Sequence, residues 1–245
     1  MENLAFILFF VVAAAFGRYL LAKARKKGDE WNTYLQALCE REGWYLSDVD
    51  PSRGPRSGIA ISAPPENWRM SFHRIASGTT GTGSMNSGSR WTVWLDPSLA
   101  LNQGVAVLGP AIPDKTREKT QQMLESSRLL SRVMLDAFVK GLDRKESLAL
   151  RVIEDRFDSS RATLLASPGN EDVFDRLVGS ESLEALAQFE GRIGNRPSLI
   201  RDRSGLQFRV ERTLEKEEEI LSFVEVGRAV SRDLAGTAAA QESES

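Results

Sequence analysis

Thirteen consecutive positions, 4–16, carry no polar side chain, and after Gly17 and Arg18 the apolar run resumes over 19–22. Nineteen residues at about 1.5 Å rise span roughly 28 Å, close to the hydrocarbon thickness of a bilayer. The pattern therefore predicts a transmembrane helix. Arg18 lies about one turn from its end, where a long stem can snorkel to the headgroups, and Tyr19 suits the interfacial belt.

Charge sets the expected orientation. Arg18, Lys23, Arg25, Lys26 and Lys27 all follow the apolar stretch, whereas only Glu2 and the α-amine precede it. The positive-inside rule then places the N-terminus outside and the C-terminal body in the cytoplasm, anchored as a single-pass protein of the inner (plasma) membrane. The same five cations are the expected contacts with anionic lipid headgroups, which makes the bilayer itself a partner. A cleaved signal peptide cut near Ala13-Ala14-Ala15 would carry its positive charge before the apolar core, not after it. A buried soluble helix is the other reading of an all-apolar circumference, and the basic stop argues against it.

Composition narrows the chemistry. The chain has one His and one Cys, too few for a zinc cage or a disulfide, and no cofactor motif is found. Its net charge is −2, and residues 28–245 alone carry −6. Such a surface does not suit nucleic acid, which needs concentrated cations.

Beyond the basic flank, Trp31, Tyr34, Leu35, Leu38 and Cys39 repeat at helical spacing up to a stop at Gly43, predicting a helix over 29–42. Short β-rich runs follow at 44–49, 58–63, 67–75, 90–95 and 105–108, separated by Pro, Gly and Ser. In the third, Trp68, Met70 and Phe72 alternate with Arg69, Ser71 and His73, giving one dry side and one wet. Pro113 and Asp114 open a long helix to about residue 142 whose first turns are polar all round. Strands at 148–152 and 161–166, helices at 171–178 and 182–193, a strand pair at 198–202 and 206–212, and a closing helix over 214–234 complete the body. Thr213 is the expected N-cap of that last helix, with Glu215, Glu217, Glu218 and Glu219 complementing its dipole. The small and acidic residues 236–245 read as a disordered tail.

Residues 34–43 and 182–191 agree at five of ten positions, and Arg56-Ser57-Gly58-Ile59 is echoed by Arg203-Ser204-Gly205-Leu206. Read as a duplication, each copy is a helix, a Gly stop, a strand, a turn at Arg-Ser-Gly and another strand; any helix-and-hairpin unit shares such residues at such spacing. The expected fold is thus α+β: an N-terminal single transmembrane helix, then a cytoplasmic body of mixed antiparallel strands and long amphipathic helices in two tandem α+β units. The expected division is an anchor with basic flank at 1–27, units at 28–142 and 143–235, and the tail at 236–245.

Few residues offer chemistry. The Gly- and Ser-rich stretch 77–89 lacks both the lysine of a phosphate loop and the third glycine of a dinucleotide fingerprint, so it reads as a long hairpin loop. His73 is the one general base of neutral pKa, without a nucleophile-elbow motif to support it. The carboxylates Glu154, Asp155 and Asp158, or Glu171, Asp172 and Asp175, lack the ligand alternation of a calcium loop. Arg201-Asp202-Arg203 reads as a turn laced by its own ion pairs. Candidate interface positions are Trp94, because alternation puts Trp91 and Trp94 on opposite faces, Thr80 in the loop, and Glu118 on the polar first turns of the long helix. The function expected is a membrane-anchored binding or assembly component, scaffold or regulatory, acting on another membrane-associated protein. The alternative is a membrane-tethered hydrolase with a cleft between the two units, using His73 or an acidic cluster.

Overall fold

Most of the β-rich runs become strands within a residue or two of their expected places, because alternating β-branched and aromatic residues bounded by Gly, Pro and Ser suit a pleated, half-buried surface. The computed structural model describes residues 2–48, 56–75, 89–111, 150–153, 157, 162–194 and 197–236; in α1 the side chains of 2–15, 17, 21, 24, 25 and 27 lie outside that description. The long helix expected over 113–142, most of the 77–89 loop, the carboxylates Glu154, Asp155 and Asp158, and the tail beyond Gly236 fall outside the described residues.

The chain divides into two compact units, Met1–Leu46 and Ser47–Ser245. The first is dominated by α1 (Glu2–Glu42). Leu35, Leu38 and Cys39 are buried on α1, and Gly43, with φ +70°, turns the chain out of the helix, a conformation that glycine adopts without steric cost.

Nine strands form one sheet: β1 (Tyr45–Asp48), β2 (Arg56–Ser62), β3 (Arg69–Ile75), β4 (Ser89–Asp96), β5 (Ala106–Pro110), β6 (Arg151–Ile153), β7 (Ala162–Ala166), β8 (Ser198–Asp202) and β9 (Gly205–Val210), in the spatial order β1-β2-β3-β4-β9-β8-β5-β7-β6. From β2 to β6 every pairing is antiparallel. Two helices, α2 (Glu181–Ile193) and α3 (Glu217–Ala235), pack on the face carrying Met70, Trp94 and Phe208. There Phe208 lies 4.3 Å from Phe223 of α3 and 5.6 Å from Phe189 of α2, between ring centroids. Gly227 lets α3 descend onto Trp94, since a Cβ there would stand 2.6 Å from the indole Cδ2. Asp96 pins the same helix: its Oδ1 accepts from the Ser98 amide at 2.9 Å and its Oδ2 from the Ser231 hydroxyl.

Several expectations are corrected here. Among the described residues no helix is long and apolar enough to cross a membrane. The transmembrane helix expected over 4–22 falls with that finding, and so do the single-pass, signal-anchor topology and the inner-membrane, cytoplasm-facing placement. The expectation rests on the apolar run 4–22 being a helix bounded by its own basic flank. The backbone of that run is instead the first part of a continuous 41-residue helix that also carries Arg18 and the cations from Lys23 onward.

The pair of tandem α+β units also gives way, to a single sheet. The β8–β9 hairpin inserts between β4 and β5, so the strands of the two supposed copies are interleaved. The apparent repeat dissolves on inspection of its glycines and turns. Gly191 lies inside α2, whose C-cap is Gly194 at φ +68°. Arg56-Ser57-Gly58 is strand, whereas Arg203 and Ser204 form a turn.

Smaller corrections concern local geometry. Residues 171–178 form turns with one short 3-10 segment, Asp175–Leu177, in place of a helix. Helix α3 starts at Glu217 with Lys216 as N-cap, not Thr213, and it lacks a side-chain cap. Leu214 explains the delay: it is fully buried and its amide is taken by the Thr92 hydroxyl at 3.2 Å, which holds the approach extended.

Candidate functional site

On α1 the spacing of exposed residues defines a surface. Phe16, Tyr19 and Leu20 are 60%, 61% and 48% exposed, and separations of three and four residues place them on one stripe of a helix. Around and beyond them stand the exposed cations Arg18, Lys23 and Lys26. Lys26 reaches Glu30 at 3.8 Å, an i,i+4 pair with both side chains largely in water, which adds only a few tenths of a kcal/mol to the helix. Of the five cations expected to meet lipid, Arg25 and Lys27 have side chains outside the described residues.

The three expected interface positions are not brought together. Trp94 is 1% exposed, its ring stacked 6.5 Å from Trp68 beneath α3, so it belongs to the core. Thr80 and Glu118 lie outside the described residues.

On the sheet face opposite α3, strand alternation places polar residues where the sequence suggests a wet side, yet most of them are buried. Ser71 is 7% exposed, Gln207 6% and Arg209 4%. The Ser71 hydroxyl and His73 Nε2 are 2.6 Å apart, and Gln207 Oε1 accepts from Arg209 Nε at 2.9 Å. In register, Ser71 faces Val93 and Val93 faces Arg209, so the backbones of the serine and the arginine stand two strand spacings, about 10 Å, apart. A hydroxyl hydrogen-bonded to an imidazole is the first requirement of a nucleophile and its base. The second is an oxygen that substrate can reach, and Ser71 is closed in on its strand between Ala60 and Val93.

Other candidates are structural. Cys39 is buried, and desolvation pushes its thiol up to about 11, which leaves it protonated and unreactive at neutral pH. Asp202 Oδ1 accepts from the Ser204 amide at 2.8 Å and its Oδ2 from Gln207 at 3.0 Å. Arg201 donates to the Leu99 carbonyl at 2.8 Å, away from the turn. Among the described residues no group of three or more His, Cys, Asp or Glu side chains is placed to hold a metal ion.

Sequence reasoning missed the cluster that ties α3 to the segment leading into β3. Arg228 lies 5.3 Å over the Trp68 ring, and its Nε and Nη2 donate to Glu66 at 2.7 and 2.8 Å. Trp68 Nε1 donates to the same carboxylate at 2.5 Å. No local pattern could reveal a contact spanning 162 residues.

The chain matches no protein-family model, no curated protein and no solved structure. The reading of its function therefore rests on these residues alone.

Proposed function

We propose that this protein is a binding or assembly component that engages a protein partner through α1. The supporting observation is the exposure of Phe16, Tyr19 and Leu20 at 60%, 61% and 48%. Single exposed apolar residues are ordinary, but three large ones contiguous on a helix stripe form the kind of surface that recognition uses. Anchors at i, i+3 and i+4 are what an amphipathic helix presents to an apolar groove. The exposed cations Lys23 and Lys26 continue along the same side of the helix, so the partner's groove should be apolar with carboxylates at one end.

The test uses the full chain with a photocrosslinking residue at position 19. The expected result is a discrete crosslinked protein that disappears in Phe16→Ser/Leu20→Ser while circular dichroism is unchanged. Crosslinks to lipid alone, or a product indifferent to those two substitutions, would refute the reading.

A second reading, hydrolysis at the Ser71–His73 pair, draws on the 2.6 Å contact and is opposed by the burial of Ser71. It requires labelling of Ser71 by a fluorophosphonate, lost in His73→Ala. An unlabelled Ser71 removes it.

A further inference from the structure

The exposed stripe of α1 continues along the helix in both directions. Ala5, Phe9, Val12, Phe16 and Tyr19 recur at alternating separations of four and three residues, with Glu2 before them and Lys23 and Lys26 after them in the same alternation. All of them lie on one continuous helix. This is the heptad spacing that keeps one seam of a helix turned towards a partner helix. Along the seam an apolar stretch separates an acid at one end from cations at the other. Phe16, Tyr19, Lys23 and Lys26 are exposed. Lys26 already has Glu30 as a neighbour, whereas Lys23 has no carboxylate partner among the described residues.

A surface that fits this seam is apolar along its length and carries a carboxylate where Lys23 arrives. The same seam on a second copy, run antiparallel, has that character. With Val12 opposite Val12 on a two-fold axis, Phe9 falls opposite Phe16, Ala5 opposite Tyr19 and Glu2 opposite Lys23, each pair occurring twice by symmetry. A small residue thus meets a large one, and both charged ends are matched. A parallel pair would set Glu2 against Glu2 and Lys23 against Lys23, and facing like charges oppose that arrangement. Three aromatic rings per copy, at about 150–250 Å² each, amount to roughly 900–1,500 Å² from two copies. That overlaps the ~1,200–2,000 Å² of stable, specific interfaces.

We propose that the protein partner of α1 is a second copy of this chain: α1 pairs antiparallel with the other copy's α1 across a two-fold axis at Val12. Self-pairing rests on the reading of α1 as a protein-binding surface, and it makes Glu2 of the second copy the carboxylate that meets Lys23.

Sedimentation velocity of the purified full chain at micromolar concentrations tests this. The chain should run as a monomer–dimer equilibrium. Lys23→Glu, at an exposed position, should weaken the dimer at least tenfold with circular dichroism unchanged, and Glu2→Lys should weaken it likewise. The double variant Glu2→Lys/Lys23→Glu should restore it, because only antiparallel pairing sets the two positions against each other. A monomer at every concentration, a trimer or larger assembly, or a double variant no stronger than either single one overturns self-pairing. A monomeric chain that still gives a discrete crosslink to another protein from position 19 refutes self-pairing alone and leaves the protein-binding reading intact. Crosslinks to lipid alone end both.

Discussion

Replacing Gly227 with alanine places one methyl group where α3 meets the sheet. The new Cβ would stand 2.6, 2.8 and 2.9 Å from Cδ2, Cε2 and Cγ of Trp94, against the ~3.5–4.0 Å at which carbon atoms rest. The indole has little room to retreat, being 1% exposed and backed by Trp68, with Arg228 over that second ring. Either α3 lifts or Trp94 leaves its rotamer, and overpacking of this kind costs about 1–3 kcal/mol. With three ring atoms struck, the upper end applies. Alanine's better helix propensity offsets up to ~1 kcal/mol, leaving a net loss of about 2 kcal/mol. For a protein of this size that lowers Tm by about 4–8 °C. Urea denaturation followed by tryptophan fluorescence and far-ultraviolet circular dichroism should show a lower midpoint at unchanged slope. Gly191→Ala is the internal comparison: it sits in α2 with nothing within 4 Å of its added Cβ, and the same propensity should stabilise the protein by up to ~1 kcal/mol. A Gly227→Ala protein as stable as its parent would mean that α3 does not rest on Trp94 as described.

Glu66→Ala removes the acceptor shared by Arg228 and Trp68; because Glu66 and Arg228 are 48% and 36% exposed, the loss should be about 1 kcal/mol, accompanied by a shift in tryptophan emission, and an unchanged spectrum would count against the cluster. Cys39, raised from 9.0 to about 11, keeps its proton in the folded state where the unfolded chain releases it. Its contribution to stability is therefore fully present below about pH 9 and lost as pH rises to about 11, amounting to about 2–3 kcal/mol; about 2 kcal/mol of this falls between pH 8 and pH 10.5, so urea denaturation of Cys39→Ala should show a decline in stability over that interval smaller by about that amount. At pH 8 the native thiolate should be ~100-fold scarcer than in the unfolded chain, so iodoacetamide labelling at equal rates in native and denatured protein would refute it.

What could be read along the chain was local. Punctuation by Pro, Gly and Ser located β2 through β5, and the helical spacing of Ile220, Phe223, Val224, Gly227, Val230 and Leu234 located α3 with its buried stripe. Topology was not legible, because nothing in 198–210 says that this hairpin pairs with β4 on one side and β5 on the other. The candidate site was legible only in part. Arg18 and Lys23 were recognised as a cationic flank, while the apolar stripe beside them was counted with the spanning segment and not as a surface. Alternation assigned Gln207 and Arg209 to a wet side, but they are buried, since period-two patterning marks which face a residue is on and not whether that face is covered. Thr213 has the chemistry of an N-cap and lost that position to Lys216 because the burial of Leu214 fixed the preceding backbone first.

The place of β8 and β9 in the sheet bears on how the chain is made. Residues 198–210 are translated late, yet they fill the middle of the sheet. While a ribosome adds the ~100 residues between β4 and β9, at ~5–20 residues per second, a nascent chain carries β4 and β5 with rows of amides and carbonyls that have no native mate. For on the order of ten seconds those open edges can pair with the wrong strand or with a neighbouring polypeptide. Synthesis of the central hairpin is thus the event that closes the molecule.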